Sequence, residues 1–321
     1  VNQSPLLLLG FFIGAYIMLD SRYVSIDGKK IHYLSRESQR GTNAPESEGD
    51  EQKTLLILFH GFPENSHAWE PFIRCTPEHV DVIAPDLPGY HLSEVLPSQR
   101  DYEVPALIKR MVLFIESVKQ GRKIVLIGHD WGGAIAWPLA AFHSELIDKL
   151  VILNAAHPST FTQSLIMSKT QREKSQYIDA LRDNGAENML ADTNFSLLRE
   201  MLGASFFKRE HEYANSLLND WQDKTKLNAM LSYYRNMPQK IPGINASPDE
   251  LANIHVPNIN ISLETLVLWG REDKAFDTAV LQGIEHYVPH CKVIYHDTAS
   301  HWIHREYSDW AAINVIEFIE A

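Results

Sequence analysis

Cysteine is scarce in this chain of 321 residues: it has two, Cys75 and Cys291, far apart and in no CxxC pair. That excludes a disulfide framework. With no histidine cluster at ligand spacing beside them, free thiols and no metal or other cofactor are expected. Positive charge is also in deficit, 29 Lys and Arg against 41 Asp and Glu, for a formal charge of -12. This balance works against nucleic acid or an anionic lipid surface as a long-range electrostatic partner and points to a small neutral or apolar one. No internal repeat is visible, and no GxSxG occurs, which excludes a serine esterase built on that motif.

Long apolar runs are limited to one, Pro5 to Leu19 (PLLLLGFFIGAYIML). As a helix it would reach roughly 23 Å, short of the ~30 Å hydrocarbon core of a bilayer. Three readings of residues 5–19 stay open. The chain opens with Val1, so the run could extend upstream as a signal anchor. Arg22, Lys29 and Lys30 after it would then leave the rest of the chain in the cytosol, on an endoplasmic reticulum anchor. A cleaved secretory signal lacks its positive n-region and a persuasive cleavage site. A buried N-terminal helix would instead fit a cytoplasmic protein.

What is present organises itself along the chain. A content of 45% hydrophobic residues allows one large core with a smaller appended unit. Arg22 to Ser35 carries Asp27-Gly28 between two alternating segments, which predicts a hairpin. Arg36 to Lys53 is polar and without periodicity, hence a solvated loop. Short apolar runs then alternate with longer amphipathic ones: Leu55 to Phe59, Val82 to Ala84, Ile124 to Ile127, Leu150 to Leu153, Thr265 to Trp269 and Val293 to Tyr295. This alternation predicts an α/β fold, a mostly parallel sheet with helices on both faces. Between Asn154 and about Val256 the pattern is helical (Ser164 to Asp183, Arg209 to Trp221, Lys224 to Met237) and holds no convincing strand. An all-helical cap over the strand ends is expected there. The expected division is residues 1–20 as anchor or helix, 21–156 with 257–321 as core, and 157–256 as cap.

The run Ile124 to Gly133 (IVLIGHDWGG) reads as a buried strand, a tight Gly-flanked turn and a helix start, a nucleophile elbow with Asp130 where most hydrolases carry Ser. A carboxylate is a poor acyl-transfer nucleophile, but it can attack an sp³ carbon to give an alkyl ester that water later cleaves. His301, in TASHW past the last expected strand, stands where the water-activating histidine falls in such chains, with His304 as its competitor. Asp273 follows the strand Thr265 to Trp269 by a short loop and could fix the tautomer of that histidine. Glu272 and Asp277 lie close by, and the strand ending at Asn154 supplies an amide. His60 and His129 are expected to be satisfied by backbone hydrogen bonds.

In order and spacing, HGFP at His60 to Pro63, APDLPGY at Ala84 to Tyr90, GHDWGG at Gly128 to Gly133, HP at His157-Pro158, YYRNM at Tyr233 to Met237, GREDKAF at Gly270 to Phe276 and SHW at Ser300 to Trp302 resemble the soluble-type epoxide hydrolases of the α/β-hydrolase family. The resemblance runs from about Tyr23 to the end. It implies the α/β-hydrolase fold and opening of an apolar epoxide by water to a vicinal diol, without cofactor or metal. It further implies Asp130 as nucleophile, His301 and Asp273 as the base pair, and the Phe62 and Trp131 amides as oxyanion hole, with a cis peptide at Phe62-Pro63. Tyr234, carried by YYRNM, and Tyr177, carried by YIDALRDNG, are implied as proton donors to the ring oxygen; Tyr233 and Tyr213 are the substitutes.

Two other readings compete with this one. Haloalkane dehalogenases share the Asp nucleophile and following Trp, but commonly hold the halide with an Asn where Phe62 stands, and Phe62 has no side-chain donor. A non-catalytic ligand-binding α/β-hydrolase would have no need of the set Asp130, Asp273 and His301.

Overall fold

The computed structural model describes residues 18–38 and 53–321. The apolar run up to residue 17 and most of the polar loop after Arg36 lie outside these residues, so the anchor, leader and loop readings are not addressed by it. Among the described residues no helix is long and apolar enough to cross a membrane.

Eight strands form one sheet: β1 (Asp20–Ile26), β2 (Lys29–Arg36), β3 (Thr54–Phe59), β4 (Asp81–Pro85), β5 (Lys123–His129), β6 (Lys149–Leu153), β7 (Thr265–Gly270) and β8 (Cys291–His296). Their order is β1-β2-β4-β3-β5-β6-β7-β8. β1 pairs antiparallel with β2 and β2 with β4, while every pairing from β4 to β8 is parallel. The first hairpin turns on Asp27 (φ 48°) and Gly28 (φ 71°), two left-handed residues in succession, which matches the twist of the strands that they join.

Six helices accompany the sheet and the first part of the insertion: α1 (Glu70–Cys75), α2 (Val104–Val118), α3 (Trp131–Phe142), α4 (Pro158–Met167), α5 (Lys169–Ser175) and α6 (Tyr177–Arg182). They are followed by α7 (Ala186–Asp192), α8 (Ser196–Leu202), α9 (Ala204–Arg209), α10 (His211–Gln222), α11 (Lys224–Arg235), α12 (Pro248–Ala252), α13 (Ile303–Glu306) and α14 (Ser308–Glu320). Since successive residues of a strand point to opposite faces, β3 sends Leu55, Ile57 and Phe59 into one apolar layer and Leu56 and Leu58 into the other. The first layer includes α2, whose Leu107, Ile108, Met111, Phe114, Ile115 and Val118 make a helical stripe, and continues into the insertion. The second is closed by Phe72 of α1 and by Ala311, Ala312 and Val315 of α14.

Helices α4 to α12 all lie between β6 and β7. The single helix expected over Ser164 to Asp183 is three. Ser168 adopts extended backbone (φ -112°, ψ 115°), and its hydroxyl accepts from the Gln171 amide at 3.1 Å, so it caps α5 instead of continuing α4. A serine side chain that competes for backbone donors ends helices in this way.

Candidate active site

The parallel strands deliver the chemistry at their carboxyl ends: HGFP after β3, Asp130 after β5, Asn154 after β6, Asp273 after β7 and His301 after β8. At the β5 to α3 turn Asp130 has φ 50° and ψ -118°, a conformation costly for a residue with a Cβ and held here by its surroundings. The turn is tight enough that two glycines are obligatory. A Cβ on Gly128 would lie 2.7 Å from the Gly132 carbonyl oxygen, and one on Gly132 would collide with the Phe59 carbonyl of β3.

The Asp130 carboxylate is addressed from two sides. Its Oδ1 accepts from the Phe62 amide at 2.8 Å, and its Oδ2 lies 3.6 Å from Nε2 of His301. The Phe62-Pro63 peptide is cis. Trp131 is the first residue of α3, so its amide is among those that a helix leaves without an intrahelical acceptor. His301 Nδ1 donates to Asp273 Oδ2 at 2.8 Å, which leaves Nε2 to face Asp130. Asp273 is buried and also accepts from Asn154 Nδ2 (2.6 Å), the Ala275 amide (2.7 Å) and the Phe276 amide (3.0 Å). Burial alone would raise its pKa. The imidazole and these donors outweigh burial and hold the carboxyl below its ordinary range. For His301 burial favours the neutral ring, yet Asp273 and Asp130 on opposite sides push its pKa up to about 10.

Rival residues are engaged elsewhere. His304 donates to Glu64 at 3.1 Å, Glu272 is exposed, and Asp277 caps the Ala279 amide at 2.9 Å. Tyr233 donates its hydroxyl to the Pro88 carbonyl (2.8 Å), and the Tyr213 hydroxyl accepts from the Asn65 amide (3.3 Å). Tyr234 and Tyr177 instead line the same cavity as Asp130, with ring centroids 6.3 Å apart. The Tyr234 ring stands edge-on to Phe62 (4.9 Å) and Trp131 (5.2 Å). Burial raises the pKa of both hydroxyls, and the nearby Asp130 charge adds to the rise, so both keep their protons. The cavity measures about 610 Å³. Ile108, Pro138, Phe142 and Phe161 are among the residues that line it, as are the exposed Lys240, Glu250 and His255.

Sequence reasoning did not find the groups around the His301 and Asp273 pair. Glu64, next after HGFP, is buried with His304 and Arg305, and its Oε1 lies 2.7 Å from Arg305 Nε. Glu64, His129 and His304 bring ligand-type atoms within 4.8 Å of one another, a grouping that their separation along the chain conceals. The charge that balances Glu64 is the Arg305 guanidinium. His129 donates through Nε2 to the His301 carbonyl (2.9 Å), and His60 bonds the Gly61 carbonyl and the Leu87 amide. A second omission is Lys174 of α5, which donates to the carbonyls of Asp273 (2.6 Å) and Phe276 (2.8 Å). An acid directly after a buried glycine motif was the available signal for Glu64; nothing comparable marks Lys174.

A family model for the alpha/beta hydrolase fold matches residues 54–306. The chain is 27% identical over 298 residues to epoxide hydrolase 4 of Mus musculus, covering 89% of this chain and 76% of that one. It is 30% identical over 267 residues to the AB hydrolase superfamily protein YfhM of Bacillus subtilis (strain 168), covering 80% and 87%. Among solved structures it is similar to a Bacillus megaterium epoxide hydrolase in complex with an inhibitor, at 28% identity and TM-score 0.78, over 94% of this chain and 100% of that one.

Proposed function

Because the chain belongs to the α/β-hydrolase fold family, among its epoxide hydrolases, we propose that it opens apolar epoxides through an alkyl ester on Asp130 that His301-activated water then hydrolyses. The observation that carries this reading is the division of labour between the two Asp130 oxygens. Oδ1 rests on the Phe62 amide, whereas Oδ2 is turned toward His301.

In the first step Oδ2 attacks the less hindered ring carbon, and the adjacent C–O bond breaks. The proton for the departing ring oxygen comes from Tyr234 or Tyr177. Both hydroxyls keep their protons at neutral pH and so are available as donors when the alkoxide forms. Esterification removes the Asp130 charge. One of the two carboxylates that raise the His301 pKa is thereby lost, so the imidazolium of the free enzyme can release its proton and serve as base. Water deprotonated by Nε2 adds to the ester carbonyl, and negative charge builds on Oδ1. Two preorganised amides, Phe62 and Trp131, each contribute a few kcal/mol there. Collapse frees the diol and restores Asp130. The residues between β6 and β7 act as the cap, carrying both tyrosines over the strand ends.

The test is mass spectrometry of His301→Gln incubated with an epoxide that the wild type turns over. The expected result is protein heavier by the mass of the epoxide, with the adduct on the peptide containing Asp130. Unmodified protein would reject the covalent step.

A further inference from the structure

Resting on the epoxide-hydrolase reading, we propose that Arg182 is a positioning residue for ring opening, which holds the two proton donors Tyr177 and Tyr234 in one fixed relation. Tyr177 and Arg182 are the first and last residues of α6, and Tyr234 lies in the last turn of α11. The final carbonyls of a helix have no acceptor role in a following turn, so they draw on donors from outside it. Arg182 supplies one, its Nε donating to the Tyr234 carbonyl at 2.9 Å. Its Nη2 donates to the carbonyls of Met237 (3.1 Å) and Gln239 (2.6 Å), just beyond the helix. At the other end of α6, Gln176, the residue before Tyr177, donates Nε2 to the Pro242 carbonyl at 3.1 Å. A return contact runs from Arg235, next after Tyr234, whose Nη2 donates to the Asp183 carbonyl (3.3 Å) and to Glu187 (2.9 Å).

With six residues, α6 is too short to keep a direction by its own hydrogen bonds. Gln176 and Arg182 tie both of its ends to the segment 234–242, so the backbones of the two tyrosines move as one body. A planar guanidinium presents Nε and Nη2 as a rigid fork, which an ammonium on a flexible stem does not reproduce. In ring opening the Oδ2–C bond forms as the ring C–O bond breaks, and the electron pair stays on the ring oxygen. That oxygen takes the proton of a tyrosine hydroxyl, and the phenolate left behind takes up the proton that His301 releases. The transfer requires the hydroxyl within hydrogen-bond reach of the ring oxygen. The Tyr234 ring is set by the faces of Phe62 and Trp131 that it meets edge-on, and its backbone is set by Arg182. A shift of the last turn of α11 therefore displaces the hydroxyl. Hydrolysis of the Asp130 ester uses His301 and two amides, none of which Arg182 holds.

The experiment is rapid-quench mass spectrometry with styrene oxide and 1,2-epoxyoctane, which times formation and decay of the enzyme ester separately. In Arg182→Met alkylation should slow by about 10- to 100-fold, since a misplacement of about 1 Å can cost that much, while ester hydrolysis keeps its wild-type rate. Arg182→Lys, which retains the charge and one donor group, should show a smaller slowing confined to the same step. In a Tyr234→Phe background Arg182→Met should slow alkylation far less than it does in the wild type, because a residue that acts through another falls silent when the other is gone. Equal slowing of both steps, unchanged alkylation, or a full effect in the Tyr234→Phe background would overturn the proposal. Where Arg182→Met does not fold, Arg182→Lys decides by the same comparison of the two steps. Wild-type protein that forms no ester with either epoxide would sink the reaction assignment itself, and the role of Arg182 with it. An ester that forms in the wild type and equally fast in both Arg182 variants refutes the positioning role alone.

Discussion

At the scale of single residues, the imidazole of His301 is held between two carboxylates, and the consequence is a stability that depends on pH. Its folded pKa, raised to about 10 from an ordinary 6.5, means that the native state favours the protonated ring. The stabilisation is complete below pH 6.5 and is lost as pH climbs through the folded value. Urea unfolding of wild type and His301→Gln should therefore show a gap that narrows from pH 6 toward pH 10, and a gap constant over that range would contradict the assignment. Asn154 is the other residue whose effect reaches the site through a neighbour. Its amide bridges the Gly270 amide and Asp273, so Asn154→Leu removes a donor from a buried carboxylate. Leaving a buried charge short of a hydrogen bond costs about 1–3 kcal/mol. We expect Asn154→Leu to lower both stability and kcat while leaving KM nearly unchanged, read by thermal unfolding and steady-state kinetics.

At the scale of elements, helix α5 fastens the loop that carries Asp273. Lys174 bonds two of its carbonyls, while Gln171 donates to Ala275 (3.0 Å) and accepts from the Asp277 amide (2.8 Å). A typical hydrogen bond contributes about 1 kcal/mol net. The double variant Lys174→Met with Gln171→Leu should lose roughly 2–4 kcal/mol in urea titration. Its kcat should fall because the histidine loses its fixed partner, and its KM should rise as well, because Phe276 of the same loop lines the cavity. The strands were legible in the sequence because parallel strands are buried on both faces and read as continuous apolar runs, as TLLILF of β3 does. The helices of the insertion were less so. A break such as Ser168 rests on one hydroxyl choosing a backbone donor, and periodicity does not register it. The residues that meet at Asp130 were named by local motifs at strand ends. Lys174 and Arg305 were not, since their partners lie distant in the chain and nothing near them in sequence announces a buried contact.

At the scale of the molecule, Glu64 and Arg305 join three regions: the loop after β3, the helices after β8 and, through Glu210 at 3.2 Å from Arg305, the insertion. Glu64 is fully buried and Arg305 nearly so. Removing one partner of such a pair strands a charge in the interior at a cost of about 3–5 kcal/mol. Arg305→Met should therefore be strongly destabilised, and adding Glu64→Gln should restore a large part of the loss. A double-mutant cycle in urea measures this, and additive effects would show that the two groups do not act as a pair.

Helices α4 to α12 leave the sheet at the end of β6 and return at the start of β7, and these two strands are neighbours. Whatever the length of the excursion, its two anchoring points remain one strand spacing apart. The chain can therefore lengthen, shorten or reshape everything above the reaction centre without moving the strands that hold Asp130, Asp273 and His301. The stretch that can vary in this way still reaches the site, because Tyr177 and Tyr234 belong to it and line the cavity beside Asp130.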